Sequence, residues 1–232
     1  MMDEMQMIDV IIPAYNEEKS IGKVIADIPK DWVRNIVVCN NASTDRTAIV
    51  AAEAGAKVIN TTIRGYGTAC LSGIDWLSQQ TVLPSIVVFI DGDYSDYPEK
   101  LPDLVAPIIK DDCDLVIGSR ALGNLQQGSM TVPQIFGNWL ATNLIRLIYG
   151  YHFTDLGPFR AVKWHRLMES NMEDKDFGWT VELQVKAAKL KWKTTEIAVD
   201  YKKRIGKSKV SGTIKGTLLA GHKILWTIFK LI

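Results

Sequence analysis

"SIVVFIDGDYSDYPE", residues 85–99, decides the fold. Its opening run "SIVVFI" (85–90) is apolar without alternation and rich in β-branched side chains, so it reads as a strand buried on both faces. Asp91, Asp93 and Asp96 follow directly behind it. Clustered carboxylates are costly unless a positive group lies among them. In a parallel sheet covered by helices, ligands bind beyond the carboxyl ends of the strands. The acidic cluster therefore falls where a binding site is expected.

Reading outward, "DVIIP" (9–13), "NIVVC" (35–39), "AKVIN" (56–60) and "DLVIG" (114–118) repeat the same pattern. Stretches of helical length and spacing lie between them, at 17–28, 43–55, 66–79 and 98–109. The expectation is an α/β fold with a mainly parallel, twisted sheet flanked by helices. Polar residues follow each strand: Pro13-Ala14-Tyr15-Asn16-Glu17, Asn40-Asn41, Arg64-Gly65-Tyr66-Gly67 and Gly118-Ser119-Arg120. After residue 121 the pattern changes. A loop (123–134) leads to a largely apolar helix (135–150), a second loop "YHFTDLGPFRA" (151–161), a helix (178–190) and a strand (194–201). No linker separates a second domain, so residues 1–213 read as one domain and 214–232 as a C-terminal amphipathic helix.

The 232 residues carry a net charge of only +1, unevenly spread. Residues 201–232 hold eight Lys and Arg and no acid, which leaves about −7 on the rest, 19 basic against 26 acidic. A basic tail on an acidic body points to an anionic partner, whether phosphate, nucleic acid or a membrane surface, or else to a solvated lysine-rich face. Of these partners, nucleic acid is not expected. Cys39, Cys70 and Cys113 are distant from one another and read as buried free thiols of a reducing compartment. "MMDEMQMIDV" (1–10) lacks a signal-peptide pattern, and no uncharged apolar run is long enough to span a membrane. The expected location is the cytoplasm.

The turn after the first strand, "PAYNEEKSIGK", contains neither GxGxxG nor GxxxxGK[ST], so dinucleotide and P-loop readings fail where they should appear. "RGYG" alone reads equally well as a tight turn into a helix. Asp91-Gly92-Asp93 says more. Two hard oxygen donors one residue apart suit Mg²⁺ or Mn²⁺ that takes its other ligands from substrate phosphates. Read blandly, the same residues form a turn, and Asp96 with Pro98-Glu99 starts the next helix.

"VIIPAYNEEKSIGKVI", "NNASTDRT", "RGYGTA", "IDGDYSDYPE", "IGSR", "TDLGPFRA" and "RIGKSK", in this order, resemble glycosyltransferase family 2. Within it the chain is most similar to the dolichyl-phosphate and polyprenyl-phosphate sugar transferases. The resemblance implies a GT-A fold, a nucleotide-sugar donor, a divalent metal on Asp91 and Asp93, and inversion at the anomeric carbon. It also implies a nucleotide-sugar site framed by Pro13, Ala14, Tyr15, Glu17 and Gly92, with Asn41 and Arg64 near the base and Gly67 in the same site. Relatives usually carry Asp-Asp or Asp-Asn where this chain has Asn40-Asn41. An asparagine can accept from uracil N3–H and donate to a carbonyl, whereas guanine's paired donors favour a carboxylate. The expected donor is a UDP-sugar, with glucose as the hexose, rather than a GDP-sugar.

For the base that takes the acceptor's proton there are two candidates, Asp155, which is preferred, and Glu182. Each has a plainer reading: a turn or capping residue for Asp155, a helix-start carboxylate for Glu182. A lipid phosphate needs cations more than a base, and Arg120, Arg160, Arg204, Lys207 and Lys209, with Ser208, could bind it. The final helix places Lys223, Thr227 and Lys230 on one face and Leu218, Leu225, Ile228 and Ile232 on another. It is expected to lie peripherally on the inner face of the cell membrane; the alternatives are packing on the domain or pairing in a homodimer. The functional alternatives are a soluble or saccharide acceptor, or a nucleotide-sugar-binding protein without catalysis.

Overall fold

The computed structural model describes residues 7–206 and 214–232. Seven strands form one sheet: β1 (Ile8–Ala14), β2 (Asn35–Asn41), β3 (Lys57–Thr61), β4 (Ile86–Phe89), β5 (Leu115–Ser119), β6 (Arg160–Lys163) and β7 (Thr194–Ala198), in the order β3-β2-β1-β4-β6-β5-β7. All neighbouring pairs are parallel except those made by β6, which runs antiparallel between β4 and β5.

The apolar strands are explained by what covers them. Along β1, Ile11 joins one core cluster with Val37, Phe89 and Trp179, while Val10 and Ile12 join another with Ile21, Val24 and Val88. Side chains alternate between faces, so a strand buried on both sides has no polar position to spare. Helices α1 (Ile21–Asp27), α2 (Thr47–Glu53) and α4 (Leu101–Asp111) cover one face. Helices α3 (Tyr66–Ser78), α5 (Val132–Tyr149), α6 (Trp164–Glu169), α7 (Trp179–Lys189) and α8 (Ile214–Lys230) belong to the other. Cys39, Cys70 and Cys113 are buried and free, and burial pushes the Cys39 thiol up to about 12.

Three local readings change. Residues 160–163 form β6, which overlaps the end of the loop expected over 151–161; four residues headed by an arginine are too few to show a period. The α5 helix begins at Val132 rather than 135, because Thr131 and Gln134 close a capping box in which Gln134 Oε1 accepts from Thr131 N at 2.8 Å. α8 does not divide into the two faces expected, since members of both are buried against the body. Lys223 Nζ pairs with Asp174 at 2.9 Å and Lys230 Nζ with Glu173 at 3.9 Å, so the lysines turn to the acidic body. Thr227 and Ile228 are buried, while Leu218, Leu219, Trp226, Phe229 and Ile232 are exposed. On the neighbouring α5, Val132, Ile135, Phe136 and Trp139 are exposed too. Among the described residues no helix is long and apolar enough to cross a membrane.

Candidate functional site

The carboxyl ends of β1, β2 and β4 open into a cavity of about 400 Å³. Pro13, Ala14, Tyr15 and Glu17 line it from β1 and the turn that follows. Asn41 lines it from the end of β2, and Arg64, Gly65 and Tyr66 from the entry to α3. The Arg64 guanidinium stacks on the Tyr15 ring, 4.5 Å from its centroid. The two asparagines divide. Asn41 Oδ1 accepts from Gly65 N at 3.0 Å, which turns its amide N–H donors elsewhere. Asn40 is buried outside the cavity, its Nδ2 donating to Asn60 Oδ1 at 2.8 Å and its Oδ1 accepting from Ser43 N.

Asp91, Gly92 and Asp93 close the cavity behind β4. A Cβ at Gly92 would lie 3.3 Å from Ala14 Cβ and 3.4 Å from Ile21 Cδ1, so the turn is pressed against β1 and α1. Asp91 Oδ1 accepts from the Tyr66 hydroxyl at 3.1 Å. Asp93 Oδ1 accepts from Ser95 N at 2.9 Å and from the Ser95 hydroxyl. Arg204 Nη2 lies 2.9 Å from Asp93 Oδ2 and 3.1 Å from Glu17 Oε1, bridging the two acids. Burial, and then the charge of Asp93, pushes Asp91 up to about 7. Asp96 is buried beside them, with no hydrogen-bond partner for either oxygen among the described residues. Burial, and then Asp91 and Asp93, raise it well above the usual carboxylate range. Three acids in so little space, one of them buried without a partner, concentrate negative charge that a divalent cation on Asp91 and Asp93 would relieve. Among the described residues no group of three or more His, Cys, Asp or Glu could hold a metal ion alone, so an ion on Asp91 and Asp93 needs further ligands from a bound molecule.

A second cavity of about 300 Å³ meets the first at Tyr66, Asp91, Asp93, Phe177 and Arg204. Its walls are α5, through Pro133, Gln134, Gly137 and Asn138, and α8, through Thr217, Ala220, Gly221 and Ile224. Arg120 faces it from the end of β5. Asp155 grips that guanidinium through both oxygens, Oδ2 to Nε at 2.7 Å and Oδ1 to Nη2 at 2.8 Å, and also accepts from Arg120 N. The guanidinium lies over the Tyr201 ring at 5.0 Å.

The expected residues thus gather, with exceptions. Gly67 does not line the cavity: it is buried under the backbone of Asp174, whose carbonyl oxygen would lie 1.9 Å from a Cβ there. Arg160 is fully buried, donating to the carbonyls of Leu156, Gly157 and Thr180, so it supports the fold instead of meeting a phosphate. Glu182 lies away from both cavities. It pairs with Lys186 at 2.7 Å and accepts the backbone N–H groups of Glu173 and Asp174. Asp155 is buried and committed to Arg120, with no free edge toward a substrate. Lys207, Ser208 and Lys209 lie outside the described residues. Sequence reasoning missed Tyr66, Asp176, Phe177 and Tyr201. Tyr66 sat inside a quoted motif, whereas Asp176 and Phe177 come from an acidic loop whose nearness to the strand ends only the tertiary fold reveals.

A family model described as "Glycosyl transferase family 2" matches residues 9–167. An uncharacterized glycosyltransferase of Mycobacterium tuberculosis is 37% identical over 216 residues, covering 92% of this chain and 94% of its own. A dolichyl-phosphate hexose transferase of Haloferax volcanii is 31% identical over 208 residues, 87% of this chain and 85% of its own. Among solved structures, glucosyl-3-phosphoglycerate synthase from Mycobacterium tuberculosis, in complex with Mn²⁺, UDP-glucose and phosphoglyceric acid, superposes with a TM-score of 0.76 at 21% identity. The match covers 97% of this chain and 79% of that one. The mostly parallel seven-stranded sheet flanked by helices is accordingly a GT-A fold.

Proposed function

This chain belongs to glycosyltransferase family 2 and is a nucleotide-sugar-dependent glycosyltransferase, and we propose that it moves a hexose, with inversion, from a UDP-sugar to a polyprenyl or dolichyl phosphate. One observation carries the reading: two cavities of different chemistry meet at Asp91 and Asp93. The first, with Tyr15, Asn41 and Arg64, suits a nucleotide. The second, with Arg120 and Arg204 and two helix walls, suits an anion attached to an apolar body.

Asp91 and Asp93 would hold a divalent metal, Mn²⁺ or Mg²⁺, at the donor's diphosphate. Such a metal neutralises the charge that grows on the departing nucleoside diphosphate. The chain's own groups do the rest. Arg64 and Tyr15 offer a stacked platform at the base, and the Asn41 amide donates to a base carbonyl. Arg204, between Glu17 and Asp93, supplies positive charge where both substrates' phosphates meet. Arg120, fixed by Asp155, orients the acceptor's phosphate. A phosphate oxygen attacks the anomeric carbon, the bond from that carbon to the diphosphate oxygen breaks, and its electron pair leaves with the nucleotide.

The state of the two candidate bases supports a phosphate over a hydroxyl acceptor. Asp155 and Glu182 are both engaged by cations. A phosphomonoester has its second pKa near 6 and is mostly ionised at neutrality, so it needs no base. The relative in Haloferax volcanii bears a dolichyl-phosphate acceptor in its name. The glucose and UDP assignments rest on the base-site residues and on the solved UDP-glucose complex of the synthase. The exposed apolar side chains of α5 and α8, beside the second cavity, would bring it to a lipid surface. A second reading gives Arg120 a soluble phosphorylated acceptor, since the same pair binds any phosphate dianion and the synthase complex holds phosphoglyceric acid.

A screen of radiolabelled UDP-glucose, UDP-galactose, UDP-N-acetylglucosamine and GDP-mannose tests this, with polyprenyl phosphate or phosphoglycerate, in Mn²⁺ or EDTA. Label entering the organic phase only with UDP-glucose, polyprenyl phosphate and Mn²⁺ is expected. Label reaching phosphoglycerate alone would establish the soluble acceptor, and transfer undiminished by EDTA would remove the metal.

A further inference from the structure

Residues 173–178, between α6 and α7, touch three parts of the molecule at once. On one side they lie against the entry to α3. Lys175 O accepts from Thr68 N at 2.9 Å and from the Thr68 hydroxyl at 3.1 Å. The backbone comes so close to the "RGYG" turn that a Cβ on Gly65 would lie 2.1 Å from Lys175 O. The two glycines of that turn therefore admit this loop. On the other side the loop meets α8. Lys223 Nζ is 2.9 Å from Asp174 Oδ2, and a Cβ on Gly178 would lie 2.4 Å from Thr227 Oγ1. Beneath, the Glu182 carboxylate takes the backbone N–H groups of Glu173 at 3.0 Å and Asp174 at 2.8 Å.

Asp174 joins these contacts to the donor cavity. Its Oδ2 takes Lys223, while its Oδ1 accepts from Asp176 N at 2.8 Å and shapes the turn that sends Asp176 and Phe177 into that cavity. The same α8 walls the second cavity through Thr217, Ala220, Gly221 and Ile224. One helix thus borders the second cavity and, chiefly through the Asp174 carboxylate, bears on a wall of the first.

We infer that Lys223 is a positioning residue for the donor site: by holding Asp174 it places Asp176 and Phe177, so that nucleotide binding and the seating of α8 strengthen each other. This rests on the first cavity being the nucleotide site. Coupling of this kind is reciprocal, because whatever the seated helix adds to nucleotide affinity the nucleotide adds to helix seating. The Lys223 side chain is 37% exposed but Asp174 only 9%, so losing the lysine costs some stability, and the effect on binding is read beside it.

Calorimetric titration of UDP and GDP in the presence of Mn²⁺, on the full chain and on Lys223→Met and Lys223→Arg, reads one direction. Hydrogen exchange of the amides of 214–232, with and without nucleotide, reads the other. Lys223→Met should bind nucleotide about fivefold more weakly at temperatures well below its melting point, with Lys223→Arg restoring it, and nucleotide should slow exchange in α8. Wild-type affinity in Lys223→Met, or exchange in α8 indifferent to nucleotide, would overturn the inference. If the unaltered chain binds neither nucleotide, the donor-site reading itself falls.

Discussion

Asp155 and Arg120 form a two-pronged pair at the end of β5, with both carboxylate oxygens on the guanidinium and the Arg120 amide on the same carboxylate. The pair makes Asp155 an orienter of a cation. Asp155→Asn should raise the KM for a phosphate acceptor about tenfold, leave nucleotide affinity unchanged, and cost about 3 kcal/mol of stability. A fall in kcat alone, measured in steady-state kinetics with each substrate varied, would return the residue to the role of base.

Glu182 should behave differently. Because it holds the backbone of 173 and 174, Glu182→Gln is expected to raise the donor KM and spare kcat at saturating donor. The same kinetic assay decides, since a base would show the opposite split.

Asp93 lies on the rim shared by both cavities, and Asp93→Ala should lower turnover by about a thousandfold or more. The variant should still fold, since removing one of three crowded acids relieves repulsion. Donor consumption assayed with Mn²⁺, alongside circular dichroism, checks both parts.

Asp91 sets a pH dependence. Its carboxyl ionises near 4 when the chain is unfolded, as Asp ordinarily does, and at about 7 in the fold. Between those values the folded state holds the extra proton, so this group's contribution to stability falls as pH rises and is level above about 7. Metal binding needs the ionised form, so Mn²⁺ affinity should climb through the same window. Thermal melts and Mn²⁺ titrations from pH 5 to 8 follow the two trends, and Asp91→Asn should flatten the first and abolish the second.

Phe136 and Trp139 project from α5 into solvent. Replacing both with glutamate should weaken binding to anionic vesicles by about a hundredfold or more, given ~1.5–3 kcal/mol for each large apolar side chain withdrawn from a lipid surface. Co-sedimentation with vesicles of mixed anionic and neutral lipid measures this, and a soluble-acceptor enzyme would show no binding to lose.

Much of this was readable beforehand, for physical reasons. β1, β2, β4 and β5 are buried on both faces, and such strands leave an unbroken apolar run. The acids behind β4 had to be near a ligand edge because strand direction fixes that edge. What escaped notice depended on contacts far apart in sequence. β6 is four residues long and gains its identity only from two neighbours. Glu182 resembles a catalytic acid in its local sequence, which gives no sign of its bonds to Glu173, Asp174 and Lys186. The lysines of α8 suggested a headgroup-facing side because the helix was judged alone, without the acidic loop it leans on.

The antiparallel β6 also bears on how the protein is made. β4 and β5 flank it, yet it leaves the ribosome after both, and residues 120–159 separate the end of β5 from its start. Until it arrives the nascent chain carries two open strand edges in the middle of its future sheet, bare to any passing β-structure. Truncations or stalls before residue 160 should therefore yield sticky, chaperone-dependent fragments.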